Sequence, residues 1–274
     1  MMRAELIALT VAMVQSPHSL SGNVALVGDY RFRGLSQTYT QPAIQGGVDY
    51  AAAPGGGGGA GGGAYVGAWG SNVSGNQFLN GGSLELDLYG GYRWTVAKVG
   101  VDLGTQYYWY PRARYNIDPG DRYNTAEVYA GVRYDQFAAK YSYALTNLFG
   151  MKTRTIGGYC GISADGTAAT TGCLGTGGSK GSGYLDVTAT FAVVVGMTLA
   201  LHYGYQYVRS YAPLSYADYK IGLTRPLGAV TLGAAVVGAD AERRFYRYTP
   251  TTTGSRETED VARLAVVLSA SKAF

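Results

Sequence analysis

From Leu84 to Trp94 the chain alternates: Leu84, Leu86, Leu88, Tyr92 and Trp94 are apolar, and Glu85, Asp87 and Arg93 between them are charged. A period of two marks an extended strand, because successive Cβ atoms point to opposite faces. The same rhythm sets Val99, Val101, Leu103, Tyr107 and Trp109 against Lys98, Asp102 and Gln106. From Asn23 it sets Val24, Leu26, Tyr30 and Phe32 against Asp29, Arg31 and Arg33. An apolar face opposite a charged one over about ten residues fits a tilted strand with lipid on one side and water on the other.

Further strands are expected at Ile44–Tyr50, Ala64–Asn72, Ala126–Tyr134, Phe137–Leu145, Tyr184–Val194, Thr198–Val208, Tyr216–Arg225, Ala229–Ala239 and Val261–Phe274. That makes about twelve, an even number as bacterial barrels require. In Ala64–Asn72 either parity could face lipid, and Ala229–Ala239 carries no charge on either face. The chain of 274 residues is 47% hydrophobic but only 15% charged, against roughly 25% charged in a soluble domain. No apolar run approaches the roughly 18 residues a membrane helix needs, so any spanning element must be a strand. The expected fold is therefore all-β, an up-and-down antiparallel transmembrane barrel in the bacterial outer membrane.

The connections agree. Trp94–Lys98, Asp135–Gln136, Val195–Met197 and Arg225–Gly228 are short, while Val73–Gly82, Pro111–Arg122, Leu148–Gly183 and Glu242–Glu257 are long. Short periplasmic turns and long outer loops alternate in this way. Gln37–Gln41 is brief for an outer loop, and the Gly-rich run Gly55–Gly63 reads as a flexible insertion on the turn side. Tyr107, Trp109, Tyr141, Tyr143, Tyr205 and Tyr207 fall toward the loop ends and Trp94 and Phe274 toward the other, as two interfacial girdles would. Met1 to Ser21 reads as a secretory leader: Arg3, an apolar run from Leu6 to Val14, and Ser19 and Ser21 at small-x-small positions. Residues 22–274 then form a single barrel domain.

The run Gly28-Asp29-Tyr30-Arg31-Phe32-Arg33-Gly34-Leu35-Ser36-Gln37-Thr38, followed by Pro42-Ala43-Ile44-Gln45-Gly46-Gly47, resembles the proteobacterial TorF-type porin family. Tyr65–Asn72, Leu84–Tyr92 and Ala126–Gly131 resemble it too, and the likeness extends to about Tyr143; Phe274 is similar to the terminal aromatic read by outer-membrane assembly machinery. The resemblance implies an outer-membrane channel, and passive diffusion of small hydrophilic solutes is the expected function. The alternative is a plugged structural or adhesive barrel whose outer loop 148–183 binds a partner.

Inward parity collects Asp29, Arg31, Arg33, Glu85, Asp87, Arg93, Lys98, Asp102, Glu127, Arg133, Lys140, Asp218 and Lys220 as lumen-lining, with Asp49, Asp186 and Arg263 beside them. Their signs balance. Such rows either set a transverse field that sorts solutes or form a salt-bridge network that stiffens the wall. Arg112, Arg114, Lys152, Arg154, Arg243, Arg244 and Arg247 in the outer loops are expected to meet lipopolysaccharide phosphates beside the membrane lipid. Scattered cations at a net charge of +4 do not make a nucleic-acid surface. Cys160 and Cys173, the only cysteines, lie in the longest loop and are expected to form a disulfide. Without a nearby His they do not suggest a metal site. Outside the leader only His202 is available for catalysis, and its parity points inward, so no catalytic residue or cofactor is expected.

Overall fold

The structure, a computed structural model, describes residues 18–52, 62–76, 82–115, 120–194, 196–248 and 258–274. Residues 1–17 of the expected leader and most of the Gly-rich run lie outside them. Twelve antiparallel strands close into a barrel in which each strand pairs with its sequence neighbour and the last pairs with the first. The wall strands are β1 His18–Val27, β2 Ala43–Ala52, β3 Gly63–Asn72, β4 Leu84–Val96, β5 Val99–Trp109 and β6 Thr125–Tyr134. They continue as β7 Phe137–Ala144, β8 Gly183–Ala192, β9 Thr198–Tyr207, β10 Tyr216–Leu227, β11 Val230–Ala239 and β12 Ala265–Ala273. Phe274 and Gly22 exchange both backbone hydrogen bonds across the seam, at 2.7 and 3.0 Å. Closure leaves no open edge in hydrocarbon, where each unpaired amide would cost several kcal/mol.

Alternation has the expected sense. Leu84, Leu88 and Tyr92 are exposed on the outside, whereas Glu85 and Asp87 are fully buried inside. In β3 the ambiguity resolves toward even positions facing out: Val66 is exposed, and Tyr65, Trp69 and Ser71 are buried. Tyr107, Trp109, Tyr141, Tyr143, Tyr205 and Tyr207 are exposed near the loop ends and Phe274 at the opposite rim, so both aromatic girdles are present.

The strand from Asn23 is shorter than expected, and this is the main correction to the sequence reading. Wall strand β1 stops at Val27, and the connection to β2, residues 28–42, turns into the barrel. There Arg31–Phe32 and Leu35–Ser36 form a small hairpin inside the wall. Tyr30 and Phe32, expected to meet lipid, are buried in the lumen: Tyr30 lies against Trp69, and Phe32 edge-on to Tyr108 and Phe149. The brief outer loop at Gln37–Gln41 is the return limb of this inward segment.

Over the mouth, loop 145–182 and residues 240–248 and 258–264 pack on one apolar cluster that includes Leu148, Leu174, Tyr211, Phe245, Tyr246 and Val261. The Cys160–Cys173 disulfide is formed. Arg244 donates to the carbonyls of Cys160 and Thr171, both at 2.5 Å, which ties the second loop to the first.

Candidate functional site: the barrel interior and its inward-folded segment

Two layers occupy the lumen. Hydrogen-bonded neighbours along the wall place inward residues in one row that climbs from Arg93, near the periplasmic turns, to Asp218, near the loops: Arg93, Asp102, Gly131, Lys140, Asp186, Gly204 and Asp218. Arg93 Nε donates to Asp102 Oδ2 at 3.0 Å, and its side chain keeps 62% of its surface accessible. An inward-facing arginine this accessible requires water in that part of the barrel. Its guanidinium lies 3.9 Å from the Tyr65 ring centroid, and the Tyr65 hydroxyl donates to Asp102 Oδ1 at 2.6 Å and also bonds Tyr129. Lys140 sits 5.4 Å from the Tyr129 ring centroid.

Tyrosines reach across this interior because glycines make room for them. Inward Gly104 lies under the Tyr129 ring, and inward Gly204 under the Tyr184 hydroxyl and Asp218. A Cβ at either position would overlap its tyrosine, so each pair forms a close cross-strand joint that locks register.

Nearer the loops, the inward segment fills the barrel. Arg33 is buried there with Nη2 2.7 Å from Glu127 Oε2 and Nη1 2.6 Å from Gln206 Oε1. Its guanidinium stacks 4.3 Å from the Tyr184 ring centroid. Arg33 and Gly34 have φ of 48° and 78°, the left-handed pair that a two-residue hairpin turn needs. Behind them Asp29 Oδ2 accepts from Arg31 Nε at 2.6 Å, and Asp29 Oδ1 accepts from Ser36 at 2.6 Å and Thr38 at 3.1 Å. Arg31 Nη1 also donates to the carbonyls of Val261 and Arg263, at 3.1 and 2.9 Å, tying the segment to loop 240–264. Glu85 and Asp87 interact with Tyr30, Tyr108 and Tyr110, and Gln106 Nε2 donates to Asp87 Oδ2 at 3.0 Å.

Of the residues chosen from sequence, Asp29, Arg31, Arg33, Glu85, Asp87, Arg93, Asp102, Glu127, Lys140, Asp218 and Lys220 are inside the barrel. Arg133 is inward but at the rim, beside the turn that joins Tyr134 to Phe137. Lys98 lies in the turn between Val96 and Val99 and does not line the lumen, because the hairpin closes one residue earlier than the apolar run suggests. Arg263 lies in the loop ahead of β12 and pairs there with Glu259 at 3.8 Å. Four residues that sequence reasoning assigned to no site partner the inward charges: Gln206 and Tyr184 contact Arg33, Tyr184 donates to Asp218, and Tyr65 and Tyr129 gather at Asp102.

His202 is buried between two carboxylates, with Nε2 2.9 Å from Asp218 Oδ1 and Nδ1 3.2 Å from Asp186 Oδ1. The Tyr184 hydroxyl is 3.2 Å from His202 Nε2, and no serine or cysteine is bonded to the ring among the described residues. In the loops, Lys152 and Arg154 pair with Asp121 at 2.9 and 3.7 Å, and Arg243 pairs with Asp260 at 2.9 Å. Burial holds the Tyr115 hydroxyl well above its ordinary range, so it stays a neutral donor to the Phe149 carbonyl at 2.9 Å.

A closed twelve-strand wall, apolar outside and charged inside, defines a transmembrane β-barrel, and in a bacterium such a wall belongs to the outer membrane. Residues 11–274 match the model described as "Bacterial protein of unknown function (Gcw_chp)", and the chain belongs to this family. No curated protein matches it. Among solved structures it is similar to the KdgM porin in complex with disordered oligogalacturonate, at 7% identity over 93% of this chain and 98% of that one, TM-score 0.48. It is similar to the NanC porin at 10% identity over 93% and 99%, TM-score 0.46. The Salmonella typhi outer membrane phospholipase dimer with bound calcium is similar at 11% identity over 92% and 89%, TM-score 0.41. At these identities and scores the likenesses carry no functional weight.

Proposed function

We propose that this barrel is a passive channel for small hydrophilic solutes, held narrow on its outer side by the inward segment 28–42. The carrying observation is the accessible Arg93–Asp102 pair on the inner wall, beyond the buried segment. A barrel serving only as a scaffold has no need of hydrated ionised groups in its lumen, whereas opposed charges along a wet path sort permeating solutes. The row carries two basic groups, Arg93 and Lys140, and three acidic ones, Asp102, Asp186 and Asp218, a near balance that favours weak charge selectivity. The TorF-type likeness of Gly28–Thr38 agrees, since those residues build the inward segment. Membrane lipid, lipopolysaccharide phosphates and the assembly machinery are the partners this setting implies.

The second reading, a plugged barrel whose outer loop 148–183 binds a partner, is favoured by the apolar packing of that loop over the mouth. Planar-bilayer recordings separate the two. The wild-type chain is expected to give small or intermittent steps and an Arg33→Ala/Glu127→Ala variant larger, steady ones. If the variant is folded, its segment 28–42 has become protease-sensitive and it still conducts nothing, the channel reading is lost to the structural one.

A further inference from the structure

Just under the loops, the seam of the wall is one strand short. Strand β12 pairs with β11 up to Ala265, opposite Val237, but with β1 only up to Ser269, opposite Val27. One further bond, from the Gly28 N–H to the Leu268 carbonyl, ends that ladder, and the chain leaves the wall until β2 begins at Ala43. Outside this break lies a groove of about 910 Å³, open to the membrane. Small-molecule sites span roughly 300–1,000 Å³.

The sides of the groove are aliphatic: Leu26, Ile44 and Leu268 are exposed on the lipid-facing parity. Its floor is different. Val27, Ala43 and Ser269 belong to the inward parity, and Val27 and Ser269 also line a cavity of about 100 Å³ inside the barrel, which Trp69 borders. The groove therefore cuts into the thickness of the wall. Strands β5, β7 and β9 present Tyr or Trp outward at this end, where β12, β1 and β2 present Val266, Leu268, Leu26 and Ile44.

Because the groove continues the lipid-facing wall, its occupant comes from the bilayer. Left unfilled, its lining would forfeit dispersion contacts that a flexible apolar chain restores. From this continuity and depth we infer that the groove binds one acyl chain of an outer-leaflet lipid, whose end passes Gly28 toward Val27 and Trp69. Gly28 and Pro42, the two ends of the inward segment, flank that chain. The site does not rest on permeation, since the groove is open to lipid whether or not solute crosses.

Trp69 is buried on the inner face, and the other two tryptophans, Trp94 and Trp109, lie on the lipid-facing parity. A Trp94→Phe/Trp109→Phe chain in phosphatidylcholine vesicles therefore reports on what enters the wall. When the acyl chains carry bromine midway along their length, Trp69 fluorescence is expected to fall in proportion to the brominated fraction, as a single site gives. A Cβ at Gly28 would meet only the Leu268 backbone, at 3.7 Å, so Gly28→Leu enters the groove without a backbone clash. It should at least halve the quenching, and so should Ala270→Phe, which fills the groove from β12. Val128→Leu, on the far face of the wall, should leave it unchanged. Trp69 unquenched in fully brominated vesicles, or quenching that both filled variants retain or that Val128→Leu lowers as much, would overturn the site. Quenching by bromoundecanoate in unbrominated vesicles, with none from the brominated lipid, would make the occupant a free fatty acid and overturn the assignment. Heat-shifted gel migration confirms that every variant is a folded barrel, and conductance is not read.

Discussion

Arg33 Nη2 and Glu127 Oε2 stand 2.7 Å apart in the barrel, both side chains almost wholly buried, and join an inward loop to the wall strand β6. Taking two charges out of water is costly, so the pair adds little net stability, but breaking it from one side strands the other charge and costs about 3–5 kcal/mol. Glu127→Ala and Arg33→Ala are each expected to free segment 28–42 while the wall stays folded. Hydrogen exchange of residues 28–42 measures this. The double variant should exchange less than the sum of the two singles; strict additivity would show that the two residues do not act as a pair.

The turn that presents Arg33 depends on its neighbour. At Gly34 φ is 78°, and a Cβ there would run into Asp218 and the Gly238 carbonyl. Gly34→Ala therefore combines a left-handed penalty of about 1 kcal/mol with a backbone clash. Trypsin cleavage after Arg31 or Arg33 in the folded barrel should rise sharply relative to wild type. Unchanged protection would mean that the hairpin has room for the methyl group.

The wall was legible in the sequence because each crossing strand carries its own record: Leu84, Leu86 and Leu88 against Glu85 and Asp87 need no partner to declare which side is lipid. Tyr30 and Phe32 were not, because a hairpin inside the lumen keeps the period of two of a strand that runs on through the membrane. Both have one apolar face, and periodicity does not say whether that face meets lipid or Trp69. The usable signal was Arg33-Gly34 between extended residues, a two-residue turn where a membrane strand should have continued. Tyr65, Tyr129 and Tyr184 were missed for a related reason. They carry no charge to mark their side as inward, yet the glycines beneath Tyr129 and Tyr184, Gly104 and Gly204, mark rings that lie inward over the wall.

The disulfide acts on the loops alone. Cys160–Cys173 closes a short ring inside loop 145–182, and in the chain-entropy account such a ring contributes about 3 kcal/mol. Reduction, or a Cys160→Ser/Cys173→Ser chain, is expected to hasten trypsin cleavage near Lys152, Arg154 and Lys180 and to leave the barrel's heat-shifted migration unchanged. Arg244 limits the effect, since its bonds to the Cys160 and Thr171 carbonyls hold the same segment. Arg244→Ala in the reduced chain should therefore loosen the loop further than reduction alone.

The glycine–tyrosine joints hold the wall. At Gly104 a methyl group would overlap the Tyr129 ring and the Gly90 carbonyl, and Tyr129 could escape only by leaving its bond to Tyr65. Because Tyr65 also donates to Asp102, which Arg93 contacts, one methyl group disturbs the whole hydrated layer. Gly104→Ala is expected to lower barrel stability by about 1–3 kcal/mol, the usual cost of overpacking. Removing the ring relieves its share of the overlap, so Gly104→Ala should cost less in urea unfolding from detergent when made in a Tyr129→Ala chain than in the wild type. An equal cost in both backgrounds would show that the ring is not what the methyl group meets above Gly104.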